Sequence, residues 1–124
     1  MIEEKKYTYS LKNEIQEVKN SQQAFDFINQ KFVFNQTNIK RLYHILTKSL
    51  LKSNGTKYRR GYKILDNVVG NSKTTAPENV DRDMEKLLSW YHENKKITCP
   101  FVLAFEFHLR FEQIHPFEDG NGRT

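Results

Sequence analysis

Ten consecutive residues at the end of the chain, His115-Pro116-Phe117-Glu118-Asp119-Gly120-Asn121-Gly122-Arg123-Thr124, gather a base, a carboxylate, glycines and a guanidinium into one loop. His115 carries an imidazole that titrates near neutrality and can accept a proton from an attacking hydroxyl. Asp119 is a hard oxygen ligand suited to Mg2+, an ion that keeps most of its other positions for water and phosphate oxygens. Gly120 and Gly122 let backbone amides approach an anion with no Cβ in the way, and a helix starting here would add a favourable dipole. Asn121 offers a side-chain donor and Arg123 a fixed fork for phosphate oxygens. Together these groups suit in-line attack on a phosphate held by metal and amides.

Taken singly, each residue has an ordinary role: a histidine after a helix, an Asp-Gly-Asn-Gly turn, a solvated arginine. Their combination is more specific. Seven fixed positions (His, Pro, Phe, Gly, Asn, Gly, Arg) recur by chance on the order of once in a billion starting points.

The elements that must position this loop are helical. Phe101, Val102, Leu103, Ala104, Phe105, Phe107, Leu109, Phe111 and Ile114 predict a helix from about Pro100 that is apolar on almost every side and belongs in the middle of a bundle. Pro116 disfavours helical geometry at the residue before it, which puts His115 at the end of that rigid element. Upstream, Leu11, Ile15, Val18, Phe25 and Ile28 recur at helical spacing and predict an amphipathic helix over Ser10 to about Gln30. Residues 1–9 read as an N-terminal arm or a cut helix. A second helix is expected from an N-cap at Thr37, through Ile39, Leu42, Tyr43, Leu46 and Leu50, to about Ser53-Asn54-Gly55. A third begins near Pro77 and carries Val80, Met84, Leu87, Leu88 and Tyr91. Between them, about 61–76, Ile64-Leu65 and Val68-Val69 flank Asp66-Asn67, and Gly70-Asn71 offers a second turn, so a short β-hairpin or flap is expected. The fold class is all-α with that one flap.

Composition bounds the function. A chain of 124 residues with 37% hydrophobic and 13% aromatic content supports one modest core, so a single unit is expected. No stretch approaches the roughly 20 apolar residues of a membrane span, and no apolar segment follows the charged start Met1-Ile2-Glu3-Glu4-Lys5-Lys6. The single cysteine, Cys99, forms no internal disulfide, which favours a cytoplasmic setting. The net charge of +5 is scattered beyond Lys57-Tyr58-Arg59-Arg60 and Lys95-Lys96, with no aromatic interleaving of a single-strand binder, so a nucleic-acid partner is disfavoured. His44, His92 and His108 have no second ligand at metal spacing.

His115 to Arg123 resembles the HPFx[DE]GNGR signature of Fic domains. Tyr58-Arg59-Arg60 with Asn67-Val68-Val69-Gly70-Asn71 resembles that family's flap region, Met84 to Tyr91 its following Met-x-x-Leu-x-x-Trp helix, and His108 to Ile114 the helix leading into the loop. The resemblance covers about residues 13–124 and implies a helical bundle with a flap, a partial Fic domain over 10–124 with its catalytic loop at 115–123. It also implies transfer of AMP from ATP to a hydroxyl side chain (Ser, Thr or Tyr) of a target protein. His115 would be the general base, Asp119 the Mg2+ ligand, Gly120, Asn121 and Gly122 the anion hole, and Arg123 a contact to the ATP phosphates. Phe117 would anchor the loop by packing inward. Val68, Val69, Gly70, Asn71 and Ser72 would hold the target segment by strand-like pairing. Gly122 matches nucleotide-transferring members, where kinase-like ones would have Lys.

Two departures accompany the resemblance. Family members continue with a helix bearing a second arginine, whereas this sequence stops at Thr124, so residues 1–124 alone are expected to transfer little AMP because one partial turn does not repay helix nucleation. Ser10 to Glu14 has the spacing of the family's inhibitory [ST]xxxE[GN] motif, but Ile15 stands where Gly or Asn is required, so Glu14 reads as a surface residue. The alternative function is a catalytically dead remnant that still binds a peptide along its flap.

Overall fold

The structure is a computed structural model that describes residues 2–30, 32–52, 54–69 and 72–118, with side chains from residue 11 onward except at position 69. Its described elements are α1 (Ile2–Asn29), α2 (Gln36–Thr47), the antiparallel pair β1 (Val68–Val69) and β2 (Ser72–Lys73), a 3-10 turn at Pro77–Asn79, α3 (Val80–Asn94) and α4 (Pro100–Ile114). The fold is helical, as expected, with the hairpin registering Val68 on Lys73 and Val69 on Ser72. The pairing falls on Val68-Val69 and Ser72-Lys73, so Asp66-Asn67, the first of the two candidate turns, precedes the hairpin, while Gly70-Asn71 lies outside the described residues.

α3 forms where its sequence demands. Pro77 opens the 3-10 turn, Asp81 and Asp83 lie in the first helical turn, and Val80, Met84, Leu87 and Leu88 all point inward. This stripe meets Phe107, Phe111 and Ile114 of α4, which repeat at four and three residues along one side of that helix, and Ile39 and Tyr43 of α2.

Three sequence expectations need correction. First, α1 begins at Ile2 and not near Ser10, so of the two readings of residues 1–9 the helical one describes residues 2–9. Charged helix formers such as Glu3, Glu4 and Lys5 can prolong a helix cheaply once it is nucleated. α1 also faces α2 with the side opposite to the one its apolar spacing suggests: Leu11, Ile15, Val18, Phe25 and Ile28 are exposed, with Val18 at 71%. The inward line is Asn13, Gln16, Asn20, Ala24 and Phe27. Asn20 explains the choice. Its amide donates to Leu46 O (3.1 Å) and Lys48 O (2.8 Å) at the C-terminal end of α2, while its Oδ1 accepts from Gln16 Nε2 (3.0 Å). A buried carbonyl left without a donor costs about 1–3 kcal/mol, and no aliphatic side chain could supply one. Asn13 repeats the device one level up by bonding both the O and the N of Leu51.

Second, α2 is capped by Asn35, not Thr37: with φ −137° and an extended backbone, its side chain accepts from Asn38 N (2.8 Å). The helix ends at Thr47, well before Ser53-Asn54-Gly55, because Ser49 turns left-handed (φ 61°) and carries the chain into an isolated bridge between Leu51 and Lys57. Third, α4 is buried along one side only. Phe101 is 86% exposed and Phe105 64%, so its apolar surplus has no cover among the described residues.

Where these helices meet, Phe117 is wholly buried. Its ring lies parallel to Tyr43 (3.8 Å between centroids, 2° between planes), with Tyr62 and Phe111 on its flanks at 5.5 and 6.4 Å. Phe117→Ala is expected to lower the unfolding free energy by about 3–5 kcal/mol, read from urea denaturation. A loss under about 1 kcal/mol, the scale of an ordinary surface change, would mean that the loop is not part of the core.

Candidate functional site

His115 occupies the C-cap of α4. Its backbone N–H donates to Phe111 O (2.8 Å) and its φ and ψ, 49° and 63°, are left-handed. Such geometry costs a β-carbon residue about 1–2 kcal/mol and persists only where surrounding contacts fix it. Here Pro116 bars the helix from continuing, and Pro116 and Phe117 are both buried. The imidazole Nδ1 lies 3.9 Å from Glu112 Oε2, one turn back on α4.

Two polar systems hold the loop from outside. Lys63 is 3% exposed, and each of its three ammonium hydrogens has an acceptor: Asn67 Oδ1 (2.7 Å), Thr74 Oγ1 (2.9 Å) and Ile114 O (3.3 Å). Its own N–H donates to Pro116 O (2.8 Å). Asn67 Nδ2 donates to Phe117 O (3.3 Å), and Thr74 Oγ1 donates to the backbone and side-chain oxygens of Asn67. Burial pushes the Lys63 ammonium below its ordinary pKa, with the Asp66 carboxylate pulling the other way. One lysine thereby ties the base of the hairpin to both the last turn of α4 and the site loop.

Glu118 is the second anchor. Its Oε1 accepts from Arg59 N (2.6 Å) and from Lys52 Nζ (2.9 Å). Burial alone would raise its pKa, but the Arg59 N–H and the Lys52 ammonium outweigh that and hold the carboxyl below the usual range. Beside it, Lys52, Asn54, Ile64, Leu65, Asp66 and Asn67 line a cleft of about 420 Å3. Nearby, the Tyr62 hydroxyl donates to Gln36 Oε1 (2.7 Å), and burial, with the Asp81 and Glu85 carboxylates, raises its pKa well above the ordinary phenol.

The structure therefore places His115, Val68, Val69 and Ser72 of the sequence-derived set, and through Lys63 and Asn67 it joins the hairpin to the loop that His115 opens. Gly70, Asn71, Asp119, Gly120, Asn121, Gly122 and Arg123 lie outside the described residues. Among the described residues no group of three His, Cys, Asp or Glu side chains could hold a metal ion, and no helix is long and apolar enough to cross a membrane. Sequence reasoning missed Lys52, Lys63, Thr74 and the anchoring role of Glu118. The one local signal was a lysine standing between Tyr62 and Ile64-Leu65.

The Fic/DOC family model matches residues 33–124. The chain belongs to the Fic/DOC family. It is 33% identical over 57 residues to Protein adenylyltransferase fic-1 of Caenorhabditis elegans, covering 45% of this chain and 11% of that protein. To Protein adenylyltransferase Fic of Nematostella vectensis it is 38% identical over 50 residues, covering 40% of this chain and 12% of the relative. Among solved structures, a Fic domain containing signaling protein from Bacteroides thetaiotaomicron superimposes with a TM-score of 0.71 at 26% identity, over 90% of this chain and 44% of the other. A Fic family protein from Desulfovibrio desulfuricans gives 0.67 at 29% identity, over 90% and 34%. The chain thus spans about a tenth of the length of the two adenylyltransferases and under half of either solved structure.

The Glu118 anchor carries a definite pH signature. Because its folded pKa is depressed, its contribution is complete above the ordinary carboxylate range and is lost as pH falls through the folded value. Glu118→Gln should cost about 1 kcal/mol near neutral pH, and the gap to wild type should close as acidification below the ordinary carboxylate range protonates the wild-type carboxyl. Urea titrations at several pH values check this; a gap that stays constant on acidification would show that the carboxylate charge does not matter.

Proposed function

We propose that this chain is the motif-bearing part of a protein adenylyltransferase, which transfers AMP from ATP to a Ser, Thr or Tyr hydroxyl of a target protein. The observation that carries the reading is His115 fixed in left-handed geometry at the end of α4, over buried Pro116 and Phe117, with Nδ1 turned toward Glu112. A proton on Nδ1, which lies 3.9 Å from that carboxylate, would make Nε2 the proton acceptor. The family membership and the two adenylyltransferase relatives support the same reaction class.

In the proposed step the target hydroxyl oxygen forms a bond to the α-phosphorus of ATP, the bond from that phosphorus to the bridging oxygen breaks, and pyrophosphate leaves. His115 takes the hydroxyl proton. The donor set that follows it fits the nucleotide by its chemistry: Asp119 would hold Mg2+, the amides of Gly120, Asn121 and Gly122 would receive phosphate oxygens, and Arg123 would clamp the remaining ones. Bound Mg2+ would supply charge neutralisation at the phosphates. The hairpin, Val68, Val69, Gly70, Asn71 and Ser72, would take the target segment as an added strand, and exposed Val68 and Ser72 suit that role. The exposed free thiol of Cys99 agrees with a cytoplasmic reaction.

The test uses the protein that contains this chain, ATP labelled in its AMP moiety, Mg2+ and a protein extract. Label should pass to protein, and His115→Ala should slow transfer by about a hundredfold or more. Equal transfer by the variant overturns the role of His115. Peptide capture with no transfer by either protein favours the alternative, a binding module without chemistry.

A further inference from the structure

The end of α2 and the segment 57–60 enclose a second cavity, of about 470 Å3, whose lining contains no residue of the site loop or the hairpin. It is linked to the site through Arg59, whose backbone N–H holds Glu118, and through Tyr58, which packs against the core around Phe117. The charge of the lining is one-sided. Lys48 comes from the end of α2, Lys57, Arg59 and Arg60 from the following segment, and among the described residues no Asp or Glu takes part. Among the described residues, Lys48, Lys57 and Arg60 belong to no salt bridge.

Basic residues near a helix C-terminus have a common structural role, since they offset the negative end of the dipole. That accounts for Lys48; Arg59 Nε donates to Tyr62 O and Arg60 reaches the His44 ring, which leaves Lys57, from the same separate segment, without such a bond among the described residues. Two of the last carbonyls of α2 already have donors: Leu46 O accepts from Asn20 and Thr47 O from Leu50 N, and Asn20 also bonds Lys48 O. That leaves the basic side chains of the lining less occupied by the helix end. His44 reports the resulting field. Its Nε2 lies 2.8 Å from Arg60 Nη2, and burial first, then Arg60 and Lys48, lower its pKa and keep the imidazole neutral. Ser49 holds the cavity's edge in a left-handed turn (φ 61°), a strain that needs a reason where a glycine would sit at ease. The rest of the lining is apolar: Leu50 is buried, and Leu51 and Tyr58 are half-buried. A cavity of this volume is in the range of small-ligand sites, about 300–1,000 Å3.

We propose that this cavity binds a phosphomonoester with an apolar or aromatic body, its phosphate among Lys48, Lys57 and Arg60 and its body against Leu50, Leu51 and Tyr58. The site is independent of AMP transfer and stands or falls separately from it. Phenyl phosphate is the probe, titrated at constant ionic strength into the isotope-labelled protein and followed by amide NMR. Saturable shifts are expected on residues 48–51 and 57–60. A Lys48→Gln/Arg60→Gln double variant should bind about tenfold more weakly or worse, through loss of charge-assisted hydrogen bonds, with its circular dichroism and unfolding midpoint unchanged. Lys57→Gln, outside any helix, is the second variant and should weaken binding in the same direction. Non-saturating shifts spread over the basic surface, or an unchanged dissociation constant in both variants, overturn the site. Tighter binding of pyrophosphate than of phenyl phosphate overturns the apolar body.

Discussion

The geometry of the site loop depends on the burial of Phe117. A wholly enclosed aromatic ring, stacked on Tyr43 and flanked by Tyr62 and Phe111, joins α2, α4 and the loop in one packed cluster. Two bonds before it stands the left-handed backbone of His115, which would relax into a helical or extended form if the ring were not held. The strain and the packing are thus a single arrangement: the core fixes Phe117, Pro116 transmits the direction, and His115 is left at the rim of a rigid helix. Side chains mounted in this way need little further ordering at the moment of reaction.

Polar anchors complete what packing begins. Burying an ammonium is expensive unless every hydrogen finds an acceptor, and Lys63 meets that condition with Asn67, Thr74 and the last-turn carbonyl of Ile114. Such a network is directional. It sets the distance between the hairpin base and the loop, where hydrophobic contact alone would leave both free to slide. Glu118 repeats the arrangement on the other side through Lys52 and Arg59, closer to solvent and so less costly to form.

What the sequence made legible follows from how each interaction is encoded. α3 was readable because its inward face is wholly apolar, so period and burial agree at Val80, Met84, Leu87 and Leu88. The end of α4 was readable because Pro116 acts locally. α1 was misread for the opposite reason: its period is helical, but its partnered face includes Asn13, Gln16 and Asn20, where Asn20 bonds carbonyls at the end of α2, Asn13 bonds Leu51 beyond it and Gln16 supports Asn20. The same holds for Glu118 and Lys52, which are 66 residues apart, and for Lys63, whose acceptors come from two separate segments. No local pattern announces a hydrogen bond to a distant partner. The chemical content of Asp119 to Arg123 was the most legible part of the candidate site, since it lies in residue types and order and needs no partner elsewhere.

The polar seam between α1 and α2 has a thermodynamic consequence. The seam joins the Asn20 hydrogen bonds to buried Ala24 and to the Phe27 ring beneath Arg41, while Leu11, Ile15, Val18, Phe25 and Ile28 face outward. Since those five larger side chains are exposed in the folded state already, they add little to the heat-capacity change of detaching the helix. Its seating is exact, because hydrogen bonds tolerate little misalignment. Since Asn20 bonds Leu46 O and Lys48 O, loss of this seam would free carbonyls at the end of α2 and change the electrostatics of the basic cavity without moving any of its charges.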